Sequence, residues 1–532
     1  MMARPLGRLS FLVALCVLWL ASLAHAQEGA PGAPTPKEPP ARPPLERVRV
    51  ERIDISPNRI LSPKEINAIV GPFVGKELTV DQLRGLAKAL TDRMRTKGYF
   101  VADAILPAQK IRDGVVHIEI FEGKVGKLIV EGNRFYSKGF IASRFRAGLD
   151  HGTIHQGRFQ RALMLLNENS DLSVRAFLRP GIEPGTTDVI LKVDDQLPLH
   201  YGVGYDNFGS IYTSEHRGTL FVEHGNLSGR GDDLMVQSVL NLGGRASNLI
   251  QTAYTTPLNP IGTRLGVAYS NGAYTVGQQA VVLDIRGQAN IYGLSLSHPL
   301  LRTPVNSQDV SLGVTYKDVG SFFGVVTNSR DRYTAARLAW QGDWRQLNGR
   351  TFVNASVTRG LAGFVGGPGD RSVSRVGAAG DFVHWNIEAS QVQNLSDSAY
   401  VIYRGQTQIT GQPMMVPEAF SLGGPDSVRG YYQSQVLGDA GYMVSAELRL
   451  SPLKKLRDEF QVAFFFDHGG AHLNNMQVGE KSTQWLTGAG FGFRFAPAKQ
   501  VRARLDLGFP ISPGKNSNGT CPVIYGQLVT RF

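Results

Sequence analysis

Cysteine is almost absent from this chain of 532 residues, which contains only Cys16 and Cys521. Cys16 lies in an apolar stretch near the start of the chain that we interpret below as a cleaved secretory signal. The mature chain would then keep a single cysteine, which excludes an intramolecular disulfide even in an oxidising compartment.

Sequence motifs that mark catalysis are also missing. We find no phosphate-binding loop of the Walker type, no nucleophile elbow and no zinc-hydrolase helix. The lysines and arginines do not cluster as they do on nucleic-acid-binding faces. We therefore expect a non-enzyme without cofactor, metal, internal energy source or nucleic-acid partner. The formal net charge of +12 is a weak indication of an anionic partner.

Long apolar runs are confined to the beginning of the chain. Arg4 and Arg8 flank the start of an apolar stretch over residues 9–20, and Ala24-His25-Ala26 has the small residues of a cleavage site. The stretch is shorter than the roughly 20 residues of a spanning helix, which argues against the alternative of an uncleaved membrane anchor. We predict that residues 1–26 are a secretory signal and that the mature chain begins at Gln27.

Proline is concentrated directly after this signal. Seven prolines fall within residues 27–46, and this density excludes a helix and favours an extended, polyproline-like conformation. We predict that this stretch is a linker ahead of the first folded domain.

Residues 47–122 have the pattern of a small α+β module. Capping boxes at Ser62-Pro63-Lys64-Glu65 and Thr79-Val80-Asp81-Gln82 open two amphipathic helices. Strands are predicted over residues 48–55, 100–106 and 115–121. The same β-α-α-β-β order returns over residues 123–196, with strands near 127–130, 173–178 and 188–193 and helices near 138–145 and 157–168. This internal repeat predicts two tandem modules, whose strand edges could accept an extended polypeptide.

The residue pattern changes in the region 197–532, where helical periodicity gives way to alternation. Short segments alternate between an apolar and a charged or small face, and glycine-rich or proline-containing connections separate them. Residues 501–509 are an example, because valine, alanine, leucine and phenylalanine alternate there with arginine, aspartate and glycine. Strands of about 9–11 residues with one apolar and one polar face are typical of a membrane-embedded barrel with a wet lumen. A soluble β-sandwich is the alternative, but its inner face would not tolerate so many arginines.

The connections predict the number and orientation of the strands. At about 20 residues per strand and connection, this region holds about 16 antiparallel strands, an even number as in bacterial barrels. Short connections (226–232, 257–262, 299–306, 346–350, 452–458, 496–499) alternate with long ones (272–283, 360–380, 412–441, 469–484, 512–522). Short periplasmic turns and long outer loops place the modules and the terminal Phe532 in the periplasm. The last strand, 523–532, ends on an aromatic residue, as outer-membrane assembly signals do.

The long connection 412–441 contains the most informative motif. Ser427-Val428-Arg429-Gly430-Tyr431 follows a Gly-Gly-Pro turn. Valine and tyrosine are costly to leave in water, and an arginine seeks a carboxylate or backbone acceptors. An isolated motif of this kind would be equally compatible with a solvated surface loop.

Taken with the modules and the barrel, these motifs resemble the outer-membrane transporters of two-partner secretion, the haemolysin secretion/activation and filamentous-haemagglutinin transporter family. The resemblance covers about residues 47–532. It rests on Gly98-Tyr99-Phe100, Leu106-Pro107-Ala108-Gln109 and Phe121-Glu122-Gly123 in the first module. In the barrel it rests on residues 226–232, the Val428–Tyr431 motif and Phe466-Asp467-His468-Gly469.

This resemblance implies two POTRA modules followed by the barrel, and a loop that folds back into the lumen. There Val428, Arg429, Gly430 and Tyr431 would be the loop motif, and Asp467 with Gly469 would form its partner on a barrel strand. Alternation also places Glu447 and Asp506 inward, so they remain alternative partners for Arg429. Leu106, Pro107 and Gln109 would belong to a partner-binding motif, and Phe532 to the C-terminal assembly signal.

The implied function is export across the outer membrane of a Gram-negative bacterium. A large secreted protein with an N-terminal secretion domain would be recognised unfolded by the periplasmic modules and threaded through the barrel. Periplasmic chaperones, the outer-membrane assembly machinery and outer-membrane lipid are the further expected partners. An assembly insertase of the same superfamily is the alternative, but it usually carries more modules. A diffusive porin would have no use for them.

Two short patterns need a separate interpretation. Arg230-Gly231-Asp232 resembles an integrin-binding tripeptide, but its predicted place in a periplasmic turn favours a structural role. His468 and His472 are spaced like metal ligands, but without further ligands this pair is weak support for a metal site.

Overall fold

The computed structural model describes residues 47–210, 213–243, 247–275, 285–324, 326–361, 373–452, 459–512 and 519–532. The predicted signal (1–26) and linker (27–46) lie outside these residues, as does most of the predicted short connection 452–458.

The first α/β unit contains two helices on one face of a small sheet. Its elements are β1 (Arg47–Arg49), β2 (Arg52–Ile55), α1 (Pro63–Val70), a 3₁₀ turn (Gly71–Phe73), β3 (Glu77–Thr79), α2 (Val80–Thr96), β4 (Asp103–Ile105) and β5 (Val115–Phe121). Both predicted capping boxes are present, at Ser62 and at Thr79. The strands form a sheet in the order β2-β5-β4, with β2 parallel to β5.

Two predicted strands of this unit differ from the structure. Residues 48–55 form two strands because the chain changes partners at Val50 and Glu51: β1 pairs with β3, and β2 pairs with β5. Residues 100–106 form strand only over Asp103–Ile105, because a turn closes between Tyr99 and Ala102 and Pro107 cannot donate to the ladder.

The second α/β unit repeats this topology. Its elements are β6 (Lys124–Glu131), α3 (Lys138–Ala147), α4 (Gln156–Leu166), β7 (Leu172–Pro180) and β8 (Thr186–Asp195). The sheet order is β6-β8-β7, with β6 parallel to β8 and β7 antiparallel to it. The internal repeat predicted from the sequence is therefore a repeat of topology. We call residues 47–122 module 1 and residues 123–196 module 2.

The rest of the chain forms a closed antiparallel barrel of 16 strands, as predicted. In chain order they are β9 (Leu199–Asp206), β10 (Arg217–His224), β11 (Asp233–Asn241), β12 (Ser247–Pro257), β13 (Arg264–Thr275), β14 (Ile285–Arg302), β15 (Asn306–Phe323), β16 (Val326–Gln346), β17 (Gly349–Gly360), β18 (Val383–Ser396), β19 (Ala399–Ile409), β22 (Ala440–Leu450), β23 (Phe460–His472), β24 (Thr483–Ala498), β25 (Val501–Pro510) and β26 (Val523–Arg531). Two short strands, β20 (Phe420–Leu422) and β21 (Val436–Gly438), lie in the connection between β19 and β22.

The predicted alternation of faces is present on the barrel strands. On β23, Phe464 and Phe466 are about half exposed on the outer surface, whereas Phe465 and Asp467 are buried on the inner one. An apolar exterior is what a lipid environment requires. None of the helices in the described parts of the chain is long and apolar enough to cross a membrane.

Module 2 docks against one end of the barrel. Arg161 on α4 donates to the carbonyls of Pro299 and Leu300, and Arg302 forms ion pairs with Glu168 and Asp309. The described short connections of the barrel lie at this end. The described residues of the long connections lie at the opposite end, as their alternation in length predicts; residues 276–284, 362–372 and 513–518 lie outside the described parts.

Candidate functional site

The connection between β19 and β22 folds into the barrel lumen. Its strands β20 and β21 pair as an antiparallel hairpin, preceded by a 3₁₀ turn at Val416–Glu418. An apolar cluster joins the hairpin and its tip to the inner wall; its buried members are Phe420, Leu422, Val428, Tyr431, Val436, Met443, Ala471 and Leu486. We call residues 410–439 the lumen loop.

Arg429 lies at the tip of the lumen loop and is fully buried. Its Nε donates to Oδ2 of Asp467 at 2.7 Å and its Nη2 to Oδ1 at 2.9 Å, so the guanidinium grips one carboxylate with two bonds. The backbone N–H of Arg429 donates to the same Oδ2 at 3.1 Å. Its Nη1 reaches Oε2 of Glu447 at 2.5 Å. The structure thus brings Arg429 together with two of the three candidate carboxylates, and its Nη1 lies 3.8 Å from the third, Asp506.

The face of the Arg429 guanidinium rests on the ring of Phe465, whose centroid lies 3.5 Å from Cζ. Such a cation–π contact adds attraction where water is excluded. Phe466, the first residue of the Phe466-Asp467-His468-Gly469 motif, faces outward and is 51% exposed. Strand alternation from Asp467 identifies Phe465 as the aromatic residue on the lumenal side.

A wider charge network surrounds this contact. Glu447 also accepts from Arg404, Arg449 and Arg494. Asp506 accepts from Arg494 at 2.5 Å and from Arg504 at 2.7 Å. All three carboxylates are buried, so each is costly to ionise without these cations. Arg429 is the cation of the network that belongs to the loop, whereas its other arginines belong to the wall.

Two glycines allow the loop to approach the wall closely. Gly430 has φ of +100°, and a Cβ there would lie 2.8 Å from the backbone of Phe509 and Pro510. A Cβ on Gly469 would lie 2.8 Å from the side chain of Leu422. Both are sites where a larger residue would push the loop away from the wall.

Tyr431 and the wall tyrosine Tyr525 complete the contacts of the tip. The Tyr431 hydroxyl donates to the carbonyl of Thr487 at 3.0 Å. The Tyr525 hydroxyl donates to the carbonyl of Tyr431 at 2.5 Å and accepts from the N–H of Gly430 at 3.0 Å. Sequence reasoning did not identify Tyr525, which belongs to no motif.

A second anchor of the lumen loop lies at Glu418, which sequence reasoning also missed. Its buried carboxylate accepts from Lys317 at 2.6 Å and Tyr333 at 2.6 Å, and contacts Nε2 of His384 at 3.2 Å. These three residues come from β15, β16 and β18. The loop is therefore attached to two different parts of the wall, through the Arg429 cation at one point and the Glu418 anion at the other.

The outer end of the lumen loop is joined to two neighbouring connections. Asp439 accepts from the N–H of Met414 at 2.7 Å and from that of Asn474 at 2.6 Å. Arg375 lies 3.7 Å from Asp439 and donates to the carbonyl of Asn475. Three outer connections thus meet at one carboxylate.

The Leu106, Pro107 and Gln109 motif in module 1 has a clear structural role. The side-chain amide of Gln109 donates to the carbonyl of His117 at 2.7 Å and accepts from its N–H at 2.8 Å. Pro107 ends the pairing of β4 with β5. Beyond it, the side chain of Gln109 bonds the backbone of His117 on β5, where a further residue of β4 would otherwise pair. Leu106 lies instead at a groove of about 400 Å³ between α2 and β4, which is also lined by Ala87 and Thr91.

The Gly98-Tyr99-Phe100 motif lies at the joint between the two modules. The Tyr99 hydroxyl donates to Asp150, and its ring packs edge-on against His155. Phe100 packs against Phe159. Burial and the bond to Asp150 raise the pKa of Tyr99 to about 12, and the bond from Tyr99 lowers the pKa of Asp150.

The Arg230-Gly231-Asp232 tripeptide lies in the turn between β10 and β11. Asp232 is fully buried and accepts from the N–H of Ser228 and the hydroxyl of Tyr254. In the same turn, Asn226 donates to the carbonyl of Phe135 in module 2. The turn is therefore a docking contact between barrel and module.

Phe532 lies where the last strand meets the first. Its ring stacks on Tyr201 with centroids 5.7 Å apart, and the two residues exchange backbone hydrogen bonds. It is 57% exposed.

His468 and His472 both have hydroxyl partners. His468 contacts Tyr442 and Thr487, and His472 contacts Thr483. Across the described ranges, no group of three or more histidine, cysteine, aspartate or glutamate residues is placed to hold a metal ion.

Comparison with known proteins identifies relatives of both parts of the chain. The family described as haemolysin secretion/activation protein ShlB/FhaC/HecB matches residues 185–495. The family described as POTRA domain, ShlB-type, matches residues 48–123.

Individual relatives are similar along most of the sequence. A heme/hemopexin transporter protein HuxB from Haemophilus influenzae is 23% identical over 466 residues, which are 85% of this chain and 81% of that protein. An outer membrane transporter CdiB from Escherichia coli O6:K15:H31 is 24% identical over 76% of this chain and 69% of its own length.

Solved structures share the fold. CdiB from Escherichia coli superposes with a TM-score of 0.74 at 21% identity, covering 94% of this chain and 93% of that one. CdiB from Acinetobacter baumannii gives a TM-score of 0.68 at 17% identity, covering 98% and 97%.

Proposed function

This chain belongs to the haemolysin secretion/activation family ShlB/FhaC/HecB, and from that membership we propose that it exports one large partner protein by two-partner secretion. It is an outer-membrane transporter with periplasmic POTRA modules and a transmembrane β-barrel. The family match favours export over the insertase alternative. We propose no catalytic role.

The observation that carries the proposed mechanism is that a folded loop occupies the lumen through charge contacts. An extended polypeptide needs the space that the lumen loop fills. The Arg429, Asp467 and Glu447 contacts would hold the closed state, and their loss would free the loop. Release would leave Glu447 and Asp506 paired with wall arginines, whereas Asp467 would keep only the hydroxyl of Ser445.

We propose that the partner is captured before it reaches this loop. The groove between α2 and β4 of module 1 combines the apolar floor of Ala87 and Leu106 with a charged rim. An extended chain could lie along the outer edge of β4 and bond through its backbone, which suits recognition of an unfolded protein. Leu106 would contact the partner directly, whereas Pro107 and Gln109 would end the strand that the partner joins.

The proposed partner is a large secreted protein with an N-terminal secretion domain. Its folding outside the cell would give the process direction without an energy source in the chain. Periplasmic chaperones would keep it unfolded, and the outer-membrane assembly machinery would insert the barrel, with Phe532 as part of its signal. Residues 1–26 and 27–46 would be the secretory signal and the linker, followed by module 1, module 2 and the barrel from residue 197.

The test is secretion of the protein encoded beside this gene in cells that make the full chain, with and without residues 47–122. When module 1 is deleted, we expect the partner to be missing from the medium and to accumulate in the periplasm. The barrel should remain heat-modifiable. The point substitution Leu106→Glu, which keeps module 1 in place, should also reduce export. Export that is unchanged by loss of the whole chain would refute the proposal. A general loss of outer-membrane proteins would favour the insertase.

A further inference from the structure

The seam where the barrel closes is the shortest strand pairing in it. β26 and β9 align over five residue pairs, Gln527–Arg531 with Gly202–Asp206, and Phe532 exchanges backbone hydrogen bonds with Tyr201 just beyond them. In the described part of the barrel, each other neighbouring pair of strands aligns over at least eight. The backbone ladder therefore closes only the periplasmic half of the seam.

In the outer half the backbone ladder is reduced to one bond, from the N–H of Asn207 to the carbonyl of Gly526 at 3.2 Å, and a side chain adds two more. Asn207, just after β9, donates from Nδ2 to the carbonyl of Ile524 at 2.8 Å and accepts from the N–H of Gly526 at 2.7 Å. An amide side chain can satisfy one donor and one acceptor of a strand, but it cannot continue the pairing. Closure of this half must depend on other contacts as well.

Tyr525 supplies such a contact on the lumenal side of the seam. Its ring packs edge-on against Phe208, which follows β9, with centroids 6.3 Å apart. Its hydroxyl holds the backbone of Gly430 and Tyr431 as described above. Tyr525 is 3% exposed. One side chain on the last strand thus touches the chain segment after the first strand and the tip of the lumen loop.

Arg504 on β25 makes a parallel connection. It donates to Asp426 at 2.9 Å and to the carbonyl of Pro425 at 2.6 Å. Its guanidinium also lies over the ring of Phe208, with Cζ 5.6 Å from the centroid. The loop tip is therefore attached to the seam at two points along its length.

We propose that the docked lumen loop is a structural part of barrel closure and that Tyr525 is the positioning residue that couples the two. Docking of the tip stabilises the pairing of β26 with β9, and closure of the seam holds the tip in place. Such coupling is reciprocal, because both effects are the same free-energy difference. A signal that frees the loop would thereby loosen the seam. This inference concerns the barrel itself and holds whichever protein is exported.

The primary test is Tyr525→Phe in the full chain, because it keeps the ring against Phe208 and removes only the hydroxyl. The readout is the temperature at which the barrel loses its compact migration on semi-native gels. We expect a fall of about 2–4 °C, the shift associated with about 1 kcal/mol in a large domain. Tyr269→Phe is the matched control, since it removes a tyrosine hydroxyl on β13 that bonds Asn290, far along the barrel wall from the seam.

Arg429→Ala tests the coupling from the loop side. A cysteine in place of the fully buried Val428, in a Cys521→Ser background, reports loop release by its rate of maleimide labelling. We expect Arg429→Ala to raise labelling and also to lower the transition temperature of the barrel. In the double variant of Arg429→Ala with Tyr525→Phe, the transition temperature should fall by less than the sum of the two single falls.

A disulfide across the seam distinguishes coupling between loop and seam from a general loss of barrel stability. Val203 and Thr530 are opposite partners in the ladder, and cysteines there should cross-link in the closed barrel. The cross-link should restore the transition temperature of Tyr525→Phe. The inference is overturned if Arg429→Ala releases the loop without changing the transition temperature, or if Tyr525→Phe behaves like Tyr269→Phe.

Discussion

Arg429 and Asp467, separated by 38 residues of sequence, meet through two parallel hydrogen bonds of 2.7 and 2.9 Å, and both side chains are excluded from solvent. The loop tip thus carries a permanent cation into a site built from wall carboxylates. Because an unpaired charge in such a site costs several kcal/mol, this contact holds the loop tip at the wall.

Removing either member of this pair should reduce export. We expect Arg429→Ala and Asp467→Ala each to lower secreted partner by about 10-fold or more, because truncating one side of a buried pair costs about 3–5 kcal/mol and export requires a loop that can be released and docked again. The double variant should be no worse than the poorer single one, because both changes break one contact. Secretion at equal barrel abundance is the measurement, with the exposed Arg502→Ala as control. If Asp467→Ala exports normally and its loop stays docked, Glu447 would be the carboxylate that holds Arg429.

Glu447 should affect the barrel more than the loop. It pairs with Arg404, Arg429, Arg449 and Arg494, so Glu447→Gln leaves four arginines with a weaker partner. We expect a lower transition temperature and less assembled barrel than with Asp467→Asn, whose partners are Arg429 and Ser445. Quantitative gels of outer-membrane fractions measure both. Equal losses for the two variants would contradict this ranking.

Glu418 should hold the first part of the lumen loop independently of Arg429. In Glu418→Gln the ion pair with Lys317 is lost, and the loop segment before β20 should detach. We expect more frequent large-conductance openings in single-channel recordings, while a cysteine at Val428 stays protected. Glu388→Gln makes the same charge change in the same lumenal cavity and should leave the openings unchanged. Identical recordings for the two variants would remove Glu418 from the mechanism.

The joint between the modules should depend on pH. The pKa of Asp150 is lowered in the folded chain, so its bond with Tyr99 adds stability above about pH 4, and this is lost as pH falls through the folded value. The pKa of Tyr99 is raised to about 12, so its contribution is complete below about pH 10 and is lost as pH rises through the folded value.

Tyr99→Phe should therefore loosen the joint at neutral pH and make no difference in acid. Distances between spin labels on the two modules of the full chain measure the spread of orientations. A Tyr99→Phe chain whose label distances match the wild type at pH 7 would show that the ring contact with His155 is sufficient.

Gln109 should stabilise module 1 rather than touch the partner. Gln109→Ala removes two hydrogen bonds to His117, each worth about 0.5–1.5 kcal/mol, and leaves an open edge on β5. We expect faster amide exchange at His117 and protease sensitivity in module 1. Gln109→Glu keeps the acceptor for the N–H but loses the donor, so it should show part of the effect. Full protection in Gln109→Ala combined with lost export would instead support direct recognition.

Much of the fold follows from local sequence pattern. Capping boxes at Ser62 and Thr79 open helices because the cap bonds are made within four residues. The count of 16 barrel strands follows from alternation and connection length, which are also local. Local pattern did not show where residues 48–55 change partners, because that depends on β3 and β5, which are distant in sequence.

The site was predictable only in part. The sequence identified Arg429 as a residue in need of a carboxylate and narrowed the choice to Asp467, Glu447 and Asp506. It did not show that Asp467 and Glu447 share the guanidinium, that Phe465 lies beneath it, or that Glu418 makes a second anchor. Each of these depends on side-chain reach between strands, which alternation does not specify.

By itself, the sequence determined which residues face the lumen and which face lipid, because the period of two along a strand and the cost of burying charge act on neighbouring residues. Only the tertiary structure decided which of those residues meet. Strand register, the path of the lumen loop and the short seam at Tyr525 arise from contacts between segments tens or hundreds of residues apart, where no local rule selects the partner.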